Sequence, residues 1–61
     1  MSYGSDLPIG IDGEVEDETG LAYRFTDGVL RVWLPKSQCE WDEGERVMTM
    51  PEWLAKEKGL I

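Results

Sequence analysis

Apolar and polar positions alternate on both sides of Asp27-Gly28, from Leu21 to Leu34. This dipeptide favours a tight hairpin turn because both residues tolerate positive φ. With Asp27-Gly28 as a two-residue loop, Thr26 faces Val29. The ladder then pairs Phe25 with Leu30, Tyr23 with Val32 and Leu21 with Leu34 on one face. The other face carries Ala22 opposite Trp33 and Arg24 opposite Arg31. A slip of one residue would send the whole apolar set to the solvent side, so pattern and turn chemistry agree. Upstream, Val15 shares the parity of Leu21, Tyr23 and Phe25, which reads as one strand from Glu14 to Phe25 with Gly20 as a bulge or bend. The rival reading is a turn at Thr19-Gly20 that splits this stretch into two strands.

Pro35 cannot donate to a ladder, so the chain leaves the sheet there. A third strand is expected around Gln38 to Asp42, followed by a turn at Glu43-Gly44 and a strand from Arg46 to Met50. A three-residue loop pairs Glu40 with Arg46 and Cys39 with Val47, whereas a two-residue loop pairs Cys39 with Met48. The first sets opposite charges across the strands. Thr49-Met50-Pro51-Glu52 has the spacing of a capping box, with Thr49 as N-cap and Glu52 at the third helical position. Lys56 and Lys58 suit the end of that helix, Gly59 suits a left-handed cap, and Leu60 can fold back in a Schellman closure.

These elements define a single mainly β domain over 14–61. We expect an antiparallel meander of four strands, curled into a small partial barrel, with one short C-terminal helix (about 50–58) over an open end. Residues 1–13 read as an irregular lead-in, broken by Ser2, Gly4, Ser5, Pro8, Gly10 and Gly13. The alternation of Leu7, Ile9 and Ile11 would supply a fifth, edge strand. The expected core is Val15, Leu21, Tyr23, Phe25, Leu30, Val32, Leu34, Val47, Trp53 and Leu54, with Cys39 and Trp41 on the same parity. A homodimer through an exposed edge strand is an open outcome, because edges are templates for pairing.

Size limits the chemistry. A 61-residue chain buries only roughly 60% of the surface its unfolded form exposes, which leaves no room for a deep substrate cavity. There is one Cys and no His. An internal disulfide is therefore impossible, a structural zinc site lacks its usual ligands, and the ordinary base near neutral pH is missing. No cofactor, no metal and no catalytic residue are expected. No signal peptide and no membrane-spanning apolar run are visible, and the expected setting is a reduced cytoplasm.

The net charge of −7 is unevenly spread. Residues 1–23 hold six acids (Asp6, Asp12, Glu14, Glu16, Asp17 and Glu18) and no base, whereas 24–61 nearly balance. Direct binding to nucleic acid through phosphates needs a basic footprint and is not expected. Trp33 stands apart from the other tryptophans, because its predicted facing puts it with Arg24 and Arg31 away from the core. Exposed Trp beside Arg is the composition of a binding hot spot; the alternative is that Gly20 bends the sheet so that both faces are covered. Two like charges directly across a strand pair also repel, which asks for an acid from the N-terminal run, from Glu40 or Asp42, or from a partner.

Trp33-Leu34-Pro35-Lys36-Ser37-Gln38, Pro51-Glu52-Trp53-Leu54-Ala55 and Lys58-Gly59-Leu60, with Glu18-Thr19 ahead of them, resemble a set of small uncharacterised proteins of bacteriophages and bacteria. The resemblance covers about residues 18–61 and implies a phage or mobile-element accessory role, in the host cytoplasm if phage-encoded, with no activity attached. Two functions are therefore expected as alternatives. One is a non-enzymatic module that binds a protein partner through Arg24, Arg31 and Trp33 or through the Lys36-Ser37-Gln38 corner. The other is a nucleic-acid-mimicking acidic inhibitor of a host nuclease or defence complex. It would present Asp12, Glu14, Glu16, Asp17 and Glu18, with alternate residues on an extended strand about 6.7 Å apart.

Overall fold

A computed structural model describes residues 7–61. Strands β1 (Pro8–Asp12), β6 (Val47–Pro51) and β5 (Glu40–Asp42) form one sheet in the order β1-β6-β5. Strands β2 (Glu14–Glu18), β3 (Ala22–Thr26) and β4 (Arg31–Pro35) form a second, in the order β2-β3-β4. All pairings are antiparallel. A 3₁₀ turn (Lys36–Gln38) links the sheets, and the short helix α1 (Glu52–Glu57) follows β6. The mainly β expectation holds. The finer one does not: there are six strands in two three-stranded sheets, and neither sheet is closed or strongly curled.

The stretch expected as an irregular lead-in supplies β1 from Pro8 onward, so the alternation of Ile9 and Ile11 is a strand signal. Residues 1–6 of that lead-in, with Asp6, lie outside the described residues. Only Gly13 separates β1 from β2, and there the chain passes from one sheet to the other. Its N–H donates to the Arg46 carbonyl at 3.1 Å. A Cβ at this position would lie 2.2 Å from the Thr26 carbonyl oxygen and 2.5 Å from Phe25 Cζ. Glycine is required here by close approach rather than by conformational freedom.

The single strand expected from Glu14 to Phe25 is two strands, as in the rival reading. Thr19 closes the turn between them: its N–H donates to the Ala22 carbonyl, and its Oγ1 accepts from the Leu21 and Ala22 N–H groups. A side chain that satisfies two turn amides stabilises the reversal at Gly20-Leu21. The bulge expected at Gly20 lies instead at Glu16, between the Val15–Phe25 and Asp17–Arg24 pairs.

Both hairpin registers differ from expectation, for one kind of reason. In the first, Phe25 pairs with Val32, Tyr23 with Leu34, Arg24 with Trp33 and Thr26 with Arg31. Asp27 closes the turn: its N–H donates to the Leu30 carbonyl and its Oδ1 accepts from the Val29 and Leu30 N–H groups, both at 2.8 Å. The central residues are thus Gly28, at φ +100°, and Val29. Moving the turn by one residue moves the pairing by two, so every face is kept while every partner changes. Leu21 and Leu30 fall into turns and leave the core, at 83% and 38% exposed.

In the second hairpin Trp41 pairs with Met48 and Asp42 with Val47, a register that neither expected loop gives. The left-handed residue is Arg46 (φ +58°), not Gly44, and the Asp42 carbonyl accepts its N–H at 2.7 Å. The longer loop reverses the parity of β6 relative to the favoured three-residue loop and keeps that of the two-residue one. Met48 and Met50 point inward and Val47 is only half-buried. The core is Phe25, Leu34, Met48, Met50, Leu54, Ala55 and Cys39, with Val15, Tyr23, Val32, Trp41 and Trp53 packed around it. Phe25 meets Trp41 edge to face at 6.1 Å, one sheet against the other.

The helix has no capping box, because Thr49 belongs to β6 and Pro51 occupies the N-cap without a side-chain bond. Its other end matches the sequence. Gly59 adopts φ +80°, its N–H donates to the Lys56 carbonyl, and the Leu60 N–H reaches back to Ala55. That pair of bonds is a Schellman closure. Leu54 and Ala55 are the buried residues of α1, and Trp53 sits half-buried beside them.

Candidate functional site

The outer face of β2-β3-β4, turned away from the core, carries most of the residues that the sequence singles out. Its rows follow from the register: Glu14–Thr26–Arg31 and Asp17–Arg24–Trp33. The bonds at Asp27–Leu30 and Lys36–Leu21 bracket the β3–β4 ladder, so its alternation makes Arg24–Trp33 a non-hydrogen-bonded pair. Such pairs bring Cα atoms to about 4.5 Å and side chains close together. The Arg24 guanidinium lies over the Trp33 ring, 6.0 Å from its centroid. Trp33 is 44% exposed, so the stacked pair is open to solvent. A cation–π contact of this kind contributes about 0.5–1 kcal/mol.

The expected repulsion between Arg24 and Arg31 is absent, because Arg31 stands opposite Thr26 and turns to Glu16 (Nε to Oε1, 2.5 Å). The N-terminal acids therefore meet the bases within the chain. Glu14 binds Arg46 of the β5–β6 turn at 2.6 Å, and Glu18 binds Lys36 of the 3₁₀ turn at 2.7 Å. Lys36 also sits 5.0 Å from the Tyr23 ring centroid. The bulge at Glu16 breaks the alternation, so Glu14, Glu16 and Glu18 do not form one evenly spaced row. They reach bases on three different elements. Asp17 Oδ1 accepts the Glu18 N–H at 2.8 Å, and Asp12 lies in the other sheet, opposite Val47.

Lys36, Ser37 and Gln38 are not brought to the Trp33 face. Their turn borders a separate open cleft of about 420 Å³, together with Pro8, Cys39, Met50 and Pro51. The expected binding region is thus two regions. Arg46 and Tyr23 belong to the ion-pair belt and were not foreseen as site residues. No local signal marks either, since their partners come from distant strands.

Chemical activation is slight. Burial pushes the Cys39 thiol up from its ordinary value, and Sγ donates to the Pro35 carbonyl at 3.2 Å. A protonated, buried thiol is a poor nucleophile. The Leu30 and Val29 N–H groups hold the Asp27 carboxyl below its ordinary value, because they bond its charged form. Among the described residues no group of three or more Cys, Asp or Glu is placed to hold a metal ion, and no helix is long and apolar enough to cross a membrane. No family model, no curated protein and no solved structure matches the chain.

Proposed function

We propose that this chain is a non-enzymatic protein-interaction module whose binding surface is the outer face of β2-β3-β4, centred on Arg24 and Trp33. The observation that carries the reading is the exposed Trp33 ring stacked beneath Arg24 on an open three-stranded sheet. Trp and Arg dominate interface energetics when a partner covers them. The stack fixes both side chains before contact, which lowers the ordering cost of binding. The resemblance to phage and bacterial proteins extends the proposal to an accessory role in a phage or mobile element.

The nucleic-acid mimic has less support. Three of its five acids are each bound to a base of the same chain, which removes the even row of charges that a phosphate-binding groove would recognise. Capture of partners from the native host, with the wild type, Trp33→Ala and Ser37→Ala as baits, tests the module. A partner lost with Trp33→Ala and kept with Ser37→Ala is expected. Identical partner sets for all three baits would overturn the assignment of this face. A partner whose affinity collapses with salt and ignores Trp33→Ala would favour the mimic.

A further inference from the structure

The outer strands of the two sheets are not equally protected. Strand β2 carries the Glu16 bulge and a run of acids, β5 has three residues, and β1 begins at Pro8. These are the devices that block strand addition. Strand β4 is five residues long with a regular register; its own devices, Arg31 and Pro35, stand at its two ends, and there is no charge on its core face, where Val32 and Leu34 point. Its sheet neighbour is β3 alone. Since Phe25–Val32 and Tyr23–Leu34 are the hydrogen-bonded pairs, the N–H and C=O groups of Arg31 and Trp33 point away from β3, along the open edge.

We infer that β4 is a self-association edge, at which a second copy of this chain adds antiparallel about a two-fold axis through Val32. The register follows from elimination. An axis through Arg31 would set Arg31 against the partner's Arg31. An axis through Trp33 would set Arg31 against the partner's Pro35, which has no N–H to return. An axis through Val32 sets Arg31 against the partner's Trp33, and four N–H···O=C bonds form between the outward groups of those residues. The guanidinium then lies beside an aromatic ring on the outer face. On the core face the half-buried Val32 meets the partner's Val32, and Leu30, 38% exposed, falls opposite the partner's Leu34, which its own core already covers.

A second copy fits this edge better than an acidic partner strand, because the acid that such a strand would offer to Arg31 is already supplied by Glu16. The edge also holds both members of the Arg–Trp pair in the order that a two-fold reversal matches. The product is a continuous six-stranded sheet whose outer face carries two Arg24–Trp33 stacks. The inference rests on the strand edge and does not require the proposed partner surface, although Trp33 belongs to both.

Amide hydrogen exchange resolved by residue, on the full chain at micromolar and at millimolar concentration, tests it together with sedimentation. Val32 and Leu34 should be protected throughout. Arg31 and Trp33 should exchange fast when dilute and gain protection in step with the shift to a dimer. Trp33→Pro removes an outward N–H without touching the β3 ladder and should weaken the dimer by at least about tenfold, the loss of one bond per protomer. Trp33→Tyr keeps the N–H and an aromatic face and should keep the dimer. A wild type that stays monomeric at millimolar concentration overturns the inference. So does a dimer that leaves the Arg31 and Trp33 amides unprotected.

Discussion

Gly13→Ala should come close to unfolding this domain, although it adds a single methyl group. The new Cβ would sit 2.2 Å from the Thr26 carbonyl oxygen, 2.5 Å from Phe25 Cζ and 2.8 Å from Phe25 Cε1. Ordinary C···O contacts begin near about 3.3 Å, so the overlap with the backbone is about 1 Å. Phe25 is fully buried and has no space into which to swing, and Thr26 is tied into β3. Overpacking typically costs about 1–3 kcal/mol, and a clash that displaces backbone belongs at the top of that range or above it. A single core of this size rarely supplies more than about 3–5 kcal/mol, so little would remain. Two other glycines calibrate the result. At Gly10 the added Cβ meets only Val47 Cγ1, at 2.8 Å, and a side chain can move aside, for about 1 kcal/mol. At Gly20 it meets nothing within 4 Å, and the alanine should be neutral or stabilise by up to about 1 kcal/mol through the unfolded chain. Urea melts followed by far-ultraviolet circular dichroism and by tryptophan fluorescence give the three values. A Gly13→Ala midpoint equal to that of the wild type would refute the passage of the chain from sheet to sheet at this residue.

Phe25→Ala should cost about 3–5 kcal/mol, because the ring is fully buried and touches Trp41 of the other sheet. Arg24→Thr should change stability by less than about 1 kcal/mol, since the lost cation–π contact is partly offset by a better strand former; equal losses in thermal melts of the two variants would invert the facing. Cys39 should react slowly with a thiol reagent in the native state and completely after unfolding, because burial keeps the thiol protonated. Fast native labelling would contradict its placement. Asp27 is held below its unfolded value, so its contribution is fully present above that value, near pH 4, and is lost as pH falls through the folded value. Stability measured in urea between neutral and acid pH should therefore fall less steeply for Asp27→Asn than for the wild type.

The facing of the first hairpin was legible in the sequence and its partners were not. Alternation of Tyr23, Phe25, Val32 and Leu34 identifies the buried side, and a shift of two residues leaves that side unchanged. The exact turn depends on the Asp27 carboxylate taking two amides, a choice between local hydrogen-bond patterns that residue pattern does not resolve. In the second hairpin the glycine misled. A two- or three-residue loop was expected at Glu43-Gly44, but the loop is longer, Arg46 takes the left-handed conformation, and β6 has the parity opposite to that of the favoured three-residue loop. The Schellman end of the helix was readable because Gly59 and Leu60 carry it locally. Parity put Trp33 on the outer face, but whether a bend at Gly20 covered that face was open in the residue pattern, and only the two-sheet arrangement leaves the ring 44% exposed. The pairing of Glu14, Glu16 and Glu18 with Arg46, Arg31 and Lys36 was not readable, because it needs the bulge and the two-sheet topology together.

The central functional claim is that a partner covers the Arg24–Trp33 face, and site-specific photocrosslinking in the native host tests it most directly. A photoreactive aromatic residue is placed at position 33 in one variant and at position 20, an exposed turn on the edge of the same sheet, in another. The account predicts a discrete crosslinked protein from position 33, absent from position 20 and reduced when Arg24 is also changed to Thr. Equal crosslinking from both positions, or none from position 33 while the chain still captures its partner, would contradict it.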